Sequence, residues 1–76
     1  MSTTNLTIAQ IIETRIALDA KATKTEDERL VSRWLAEAFE STVANAADAL
    51  ETVFADEAFT GSYGEAMRAA YEMVAA

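Results

Sequence analysis

Thirteen carboxylates, with no histidine and no cysteine, are the chemistry this chain has to work with. Three of them stand in a row, Glu26, Asp27 and Glu28, inside the stretch TKTEDERL at 23–30. Two further pairs repeat at i, i+3 spacing: Glu37 with Glu40, and Asp48 with Glu51. Carboxylates so placed suit general acid–base work or the ligation of a hard cation. Acid–base work needs two carboxyls in unlike environments, usually in a cleft that shifts a pKa. A chain of 76 residues buries only about 60% of its unfolded surface and leaves little room for one. Di-iron carboxylate bundles place Glu-x-x-His on inward faces, and this chain has no His. The missing His and Cys also remove the usual zinc ligands, a thiol nucleophile and the side chain that titrates near neutrality. Ser32, Ser41 and Ser62 have no imidazole to activate them, and the glycines of TGSYG lack the lysine and the strand of a phosphate loop. The expectation is a non-enzymatic protein with no catalytic residue, no metal and no cofactor.

The elements that position these side chains read as helical throughout. Proline is absent, alanine, glutamate and leucine are abundant, and the two glycines fall together at 61 and 64. Three helix-start patterns stand out: Thr7-x-x-Gln10, Thr25-x-x-Glu28 and Ser62-x-x-Glu65, each a Ser or Thr followed three residues later by Glu or Gln. They predict an all-α domain over 1–76, a small bundle of three helices (short, long, short) at about 8–22, 26–58 and 63–75. In TKTEDERL, Thr25 and Glu28 then form a capping box, the other two acids favour the helix dipole, and Arg29 and Arg33 neutralise them. The central helix carries Val31, Leu35, Phe39, Val43, Ala46, Leu50, Val53 and Phe54 in one arc at 100° per residue, with Glu37, Glu40, Asp48 and Glu51 roughly opposite. A break near Asn45, giving four helices, is the alternative. TGSYG reads as the following turn, with Gly61 at positive φ and Ser62 capping the last helix. That helix shows Tyr63, Ala66, Met67, Ala70, Tyr71 and Val74 on one face, and Arg68 within reach of Glu65 and Glu72 on the other.

The first helix is less regular. Ile8, Ile12 and Ile16 form one stripe, Ile11 and Leu18 another, and Arg15 and Asp19 lie between them at i, i+4. Either the charged pair sits at the edge of the chain's own core, stems buried and heads wet, or Ile11, Arg15, Leu18 and Asp19 form a homodimer face. Trp34 lies between the apolar arc and the acidic stripe. It suits a core residue covered by a neighbouring helix, the commoner case, or an interface anchor.

Charge is distributed unevenly. Residues 1–35 hold five basic and five acidic side chains, whereas 36–76 hold Arg68 alone against eight acids, so the formal total of −7 belongs to the second part. Such a surface repels phosphates and disfavours direct nucleic-acid binding. It favours a partner protein with a basic surface, met by Glu37, Glu40, Asp48 and Glu51, extended by Asp56 and Glu57, with Trp34 beside them. In size, acidity and lack of catalytic chemistry the chain resembles the small acidic helical inhibitors made by phages and mobile elements. These include anti-CRISPR and anti-restriction proteins, and the resemblance implies occlusion of a basic groove by imitation of DNA. The alternative is a structural or assembly subunit that homodimerises through apolar helix faces. The first residues lack the basic and apolar regions of a secretory signal, and no apolar run approaches the roughly 18 residues that span a bilayer. A cytoplasmic protein without membrane contact is the expectation.

Overall fold

The computed structural model describes residues 6–75, and among these the fold is all-α with four helices. They are α1 (Ile8–Asp19), α2 (Glu26–Thr42), α3 (Ala46–Ala55) and α4 (Tyr63–Ala75). The three start signals act as their spacing predicts. Thr7 Oγ1 accepts from the Gln10 N–H (3.1 Å) while Gln10 Oε1 accepts from the Thr7 N–H (2.8 Å). Thr25 and Glu28 repeat this at the same two distances. Ser62 and Glu65 do so at the start of α4, at 3.2 and 2.8 Å. Each box satisfies two backbone donors that a helix start leaves without partners.

The single helix expected over 26–58 is two helices. Val43 is extended (φ −99°, ψ 119°) and Asn45 is left-handed (φ 63°, ψ 18°), so the chain leaves α2 and re-enters a helix at Ala46. Asparagine tolerates the left-handed region better than other residues with a side chain. A continuous helix of 33 residues would run about 50 Å, whereas the longest dimension of the folded chain is 34 Å. Breaking the rod lets α3 turn back onto α4. The interruption hides in the sequence because it spans three residues, close to one helical turn of 3.6. Leu35, Phe39, Val43, Ala46, Leu50 and Val53 therefore keep a common apolar phase and all are buried, although they belong to two axes. Val31 and Phe54, at the ends of that arc, are exposed.

Helix α4 is the central packing element, lying against both α1 and α3, while α1 packs on α2 and α2 touches α3 sparingly. Its buried positions are small apart from one: Gly64, Ala66, Met67 and Ala70. At Gly64 the approach is closest, since a Cβ there would stand 2.7 Å from the Ile16 nitrogen and 2.8 Å from its Cα. Glycine is needed at 64 for this contact between backbones, and neither glycine has a positive φ. The turn before α4 is thus made without the left-handed conformation expected of Gly61. The core closes over Phe39, Leu35 and Met67, the largest side chains that are fully buried. Ile11 and Ile12 supply the α1 side.

Candidate functional site

Three helices meet around one ion pair. Arg15, half-buried on α1, donates through Nε to both oxygens of Asp19 (2.9 and 3.1 Å) and through Nη1 to the carbonyl of Ser32 on α2 (2.8 Å). Asp19 Oδ2 also accepts from the Gly64 N–H (2.8 Å), one of the free donors at the start of α4. Lys24 Nζ stands 4.0 Å from the same carboxylate. The Arg15 guanidinium lies 4.5 Å from the centre of the Tyr63 ring, and the Tyr63 hydroxyl donates to Glu40 Oε2 on α2 (3.0 Å). Tyr63 stacks in turn on Phe54, with ring centres 5.5 Å apart, and Phe54 meets Phe59 edge-on at 6.2 Å. Burial, then the hydrogen bond to Glu40 and its negative charge, raise the Tyr63 phenol above its ordinary value, against the pull of Arg15.

Above this clasp lies an open groove of about 740 Å³ between the end of α1, the loop to α2, the side of α2 and the start of α4. Arg15, Ser32 and Tyr63 line it, together with Lys24, Arg29 and Arg33 toward one end and Glu37 and Glu40 toward the other. Ser32 is buried, and its Oγ has no hydrogen-bond partner among the described residues. Arg29 and Arg33 make no ion pair among the described residues. They therefore do not neutralise the first-turn acids as expected. Glu28 pairs instead with Lys21 across the α1–α2 loop, and that bond, with the Thr25 N–H, holds its carboxyl below the ordinary range.

The residues singled out in the sequence fall into three places. Ile11 is in the core and Leu18 packs against it. With Arg15 and Asp19 tied into the clasp, all four of the proposed dimer residues are engaged within the chain. Glu37, Glu40, Asp48, Glu51, Asp56 and Glu57 are all exposed, but on two helices and the turn after them rather than along one rod. Glu37 and Glu40 border the groove, whereas Asp48 and Glu51 ride on α3. Asp56 accepts from the Ala58 N–H (2.9 Å) in that turn. None of the six makes an ion pair among the described residues. Arg68 reaches Glu13 on α1 (2.8 Å) instead of Glu65 or Glu72, because α4 packs on α1 and Glu65 is held by the cap of its own helix.

Trp34 is at the surface, 39% exposed, with Leu30 (52%) one turn before it and Val31 (42%) beside them. The core position that suits most tryptophans in small bundles is occupied on α2 by Leu35 and Phe39. Tyr63, Ser32, Lys24, Arg29 and Arg33 were not recognisable as one site from sequence. Spans such as the 45 residues from Asp19 to Gly64 leave no periodic trace. Among the described residues no three acidic side chains come together as a cation site, and no helix is long and apolar enough to cross a membrane. No protein-family model, curated protein or solved structure matches the chain.

Proposed function

We propose that this protein is a non-enzymatic interaction module that binds and occludes a basic surface on a partner protein, the partner being a nucleic-acid-binding protein or complex. One observation carries the reading: an exposed tryptophan lies on the same helix as Glu37 and Glu40, carboxylates that pair with no cation among the described residues. Trp34 and Leu30 offer an apolar anchor, and Glu37 follows Trp34 by three residues, so the two share a helix surface. Interfaces commonly combine such an anchor with a charged rim, the anchor giving affinity and the rim giving rate and partner choice. Glu40, Asp48, Glu51, Asp56 and Glu57 extend the negative field that steers a basic partner inward. The function would be that of a small acidic inhibitor of the phage or mobile-element kind.

The test is capture of partner proteins from the source cells on immobilised protein, eluted with a salt gradient. The expected result is retention of a strongly basic protein that is lost at high salt, lost on Trp34→Ala, and lost when Glu37, Glu40, Asp48 and Glu51 are all changed to Lys. Unchanged retention by the four-fold variant ends the proposal. A second reading, an assembly subunit that homodimerises through an apolar face, is favoured by the same patch of Leu30, Val31 and Trp34. It predicts a dimer mass by sedimentation equilibrium, lost on Leu30→Glu. A monomer at high micromolar concentration removes it.

A further inference from the structure

In a molecule of formal charge −7, the groove above the clasp is the exception. Arg15, Lys24, Arg29 and Arg33 line it against Asp19, Glu37 and Glu40, four cations to three carboxylates. The charges are also sorted along α2, with the two arginines toward the start of the helix and the two glutamates toward its end. Two of the cations, Arg29 and Arg33, have no carboxylate of their own among the described residues. Between them in sequence sits Ser32, which belongs to the groove lining although its hydroxyl oxygen is buried beneath the surface. Exposed guanidiniums without a carboxylate of their own on the wall of an open groove suit an incoming oxyanion, which Arg binds in bidentate fashion. The glutamates at the other end disfavour a ligand that is anionic throughout and favour one that ends in a cation.

From this juxtaposition we infer that the groove binds an extended peptide segment of mixed charge, an acidic side chain seated at Arg29 and Arg33 and a basic one at Glu37 and Glu40. The spacing is set by the helix. The midpoints of the two charged pairs are about 11 Å apart at 1.5 Å per residue. Side chains alternate along an extended chain, so an acid and a base share a face only at even spacings, and four residues at 3.3 Å each cover about 13 Å. From Arg29 to Glu40 the groove edge runs about 16 Å, enough for roughly five extended residues. Arg15 and Tyr63 are held by the clasp before any ligand arrives, so the floor needs no rearrangement. This deepens the interaction reading above and rests on it: the partner's basic surface would include a strand or loop carrying one acid four residues from a base.

The measurement is a titration of the ¹⁵N-labelled protein, followed by amide chemical shifts at low salt. The probes are three capped pentapeptides: Glu-Ala-Ala-Ala-Lys, Lys-Ala-Ala-Ala-Lys and Glu-Ala-Ala-Ala-Glu. The mixed peptide should shift the amides of Arg29, Ser32, Arg33 and Glu37 saturably, with a Kd at least fivefold lower than either control. Arg29→Gln with Arg33→Gln should weaken it at least fivefold while leaving the dispersion of the spectrum intact, since both side chains are exposed. Equal binding of all three peptides overturns the inference, as does a set of shifts that avoids the groove. If the all-lysine peptide instead shifts the α3 amides around Asp48 and Glu51, the groove reading fails while the acidic-interface reading stands. Mixed-peptide binding in the groove combined with failed capture of a basic partner gives the converse.

Discussion

Removing the Asp19 carboxylate leaves an Arg15 guanidinium without its counter-ion and a Gly64 N–H without an acceptor, both at partly buried positions. An unsatisfied buried partner costs about 1–3 kcal/mol, more when it is charged. Asp19→Ala is expected to lower stability by about 2–3 kcal/mol, read as a shift of the urea midpoint at constant slope. Two other single groups contribute to the pH dependence of stability. The Glu28 carboxyl is held below its ordinary 4.5 by Lys21 and the Thr25 N–H. Its contribution is therefore complete above the unfolded value and is lost as pH falls through the lower folded value. Glu28→Gln should flatten the acid limb of a stability-against-pH curve. The Tyr63 phenol is held above its ordinary 10.0. The folded chain keeps a proton there that the unfolded chain releases, so stability falls as pH rises past 10. Tyr63→Phe should remove that alkaline loss, measured by circular dichroism melts between pH 9 and pH 11 (roughly the range in which tyrosine titrates).

Among the elements, two junctions decide the arrangement. At the α2–α3 break Asn45 holds φ 63°, a conformation that costs an ordinary L-residue roughly 1–2 kcal/mol and glycine nothing. Asn45→Gly is therefore expected to keep or raise the thermal midpoint, and Asn45→Val to lower stability by more than about 1 kcal/mol. At the α1–α4 crossing, Gly64→Ala would drive a methyl into the Ile16 backbone at 2.7 Å. Backbone cannot rotate aside as a side chain can, so the helices must part, at a cost of about 1–3 kcal/mol. The losses for Asn45→Val and Gly64→Ala are measured by chemical denaturation, and the midpoint of Asn45→Gly by a thermal melt. The helix starts were legible beforehand because a capping box is a local device, complete within four residues. The break at Asn45 was visible only as an alternative, because an interruption of nearly one turn preserves the apolar phase.

For the whole molecule, thin coverage and net charge are the governing facts. The core rests on a few side chains, of which Phe39 is the largest with no exposure. Phe39→Ala removes about 3–5 kcal/mol, comparable to the entire stability of a small domain at about 5 kcal/mol. The expected outcome is loss of cooperative thermal unfolding at 37 °C. Surface carboxylates in excess over cations repel one another over distances that salt screens within about 10 Å at 0.1 M. Moderate salt should therefore raise the thermal midpoint while weakening any basic partner. Opposite responses of folding and binding to one salt series would mark the acidic surface as one held for recognition.

The sequence alone establishes an all-helical chain, its three capped helix starts, most of its buried positions and the imbalance of charge after residue 35. Each of these is written in neighbouring residues or in a period of 3.6. Tertiary structure alone decided that the central helix is two, that Trp34 faces outward and that Arg15 and Asp19 serve a three-helix clasp. The same is true of the groove, where charges from α1 and α2 meet around Tyr63 of α4. The reason is geometric: these features depend on which helix face lies against which neighbour. Residues up to 45 positions apart meet there through the close approach that Gly64 permits between α1 and α4, and local patterns carry no record of such meetings.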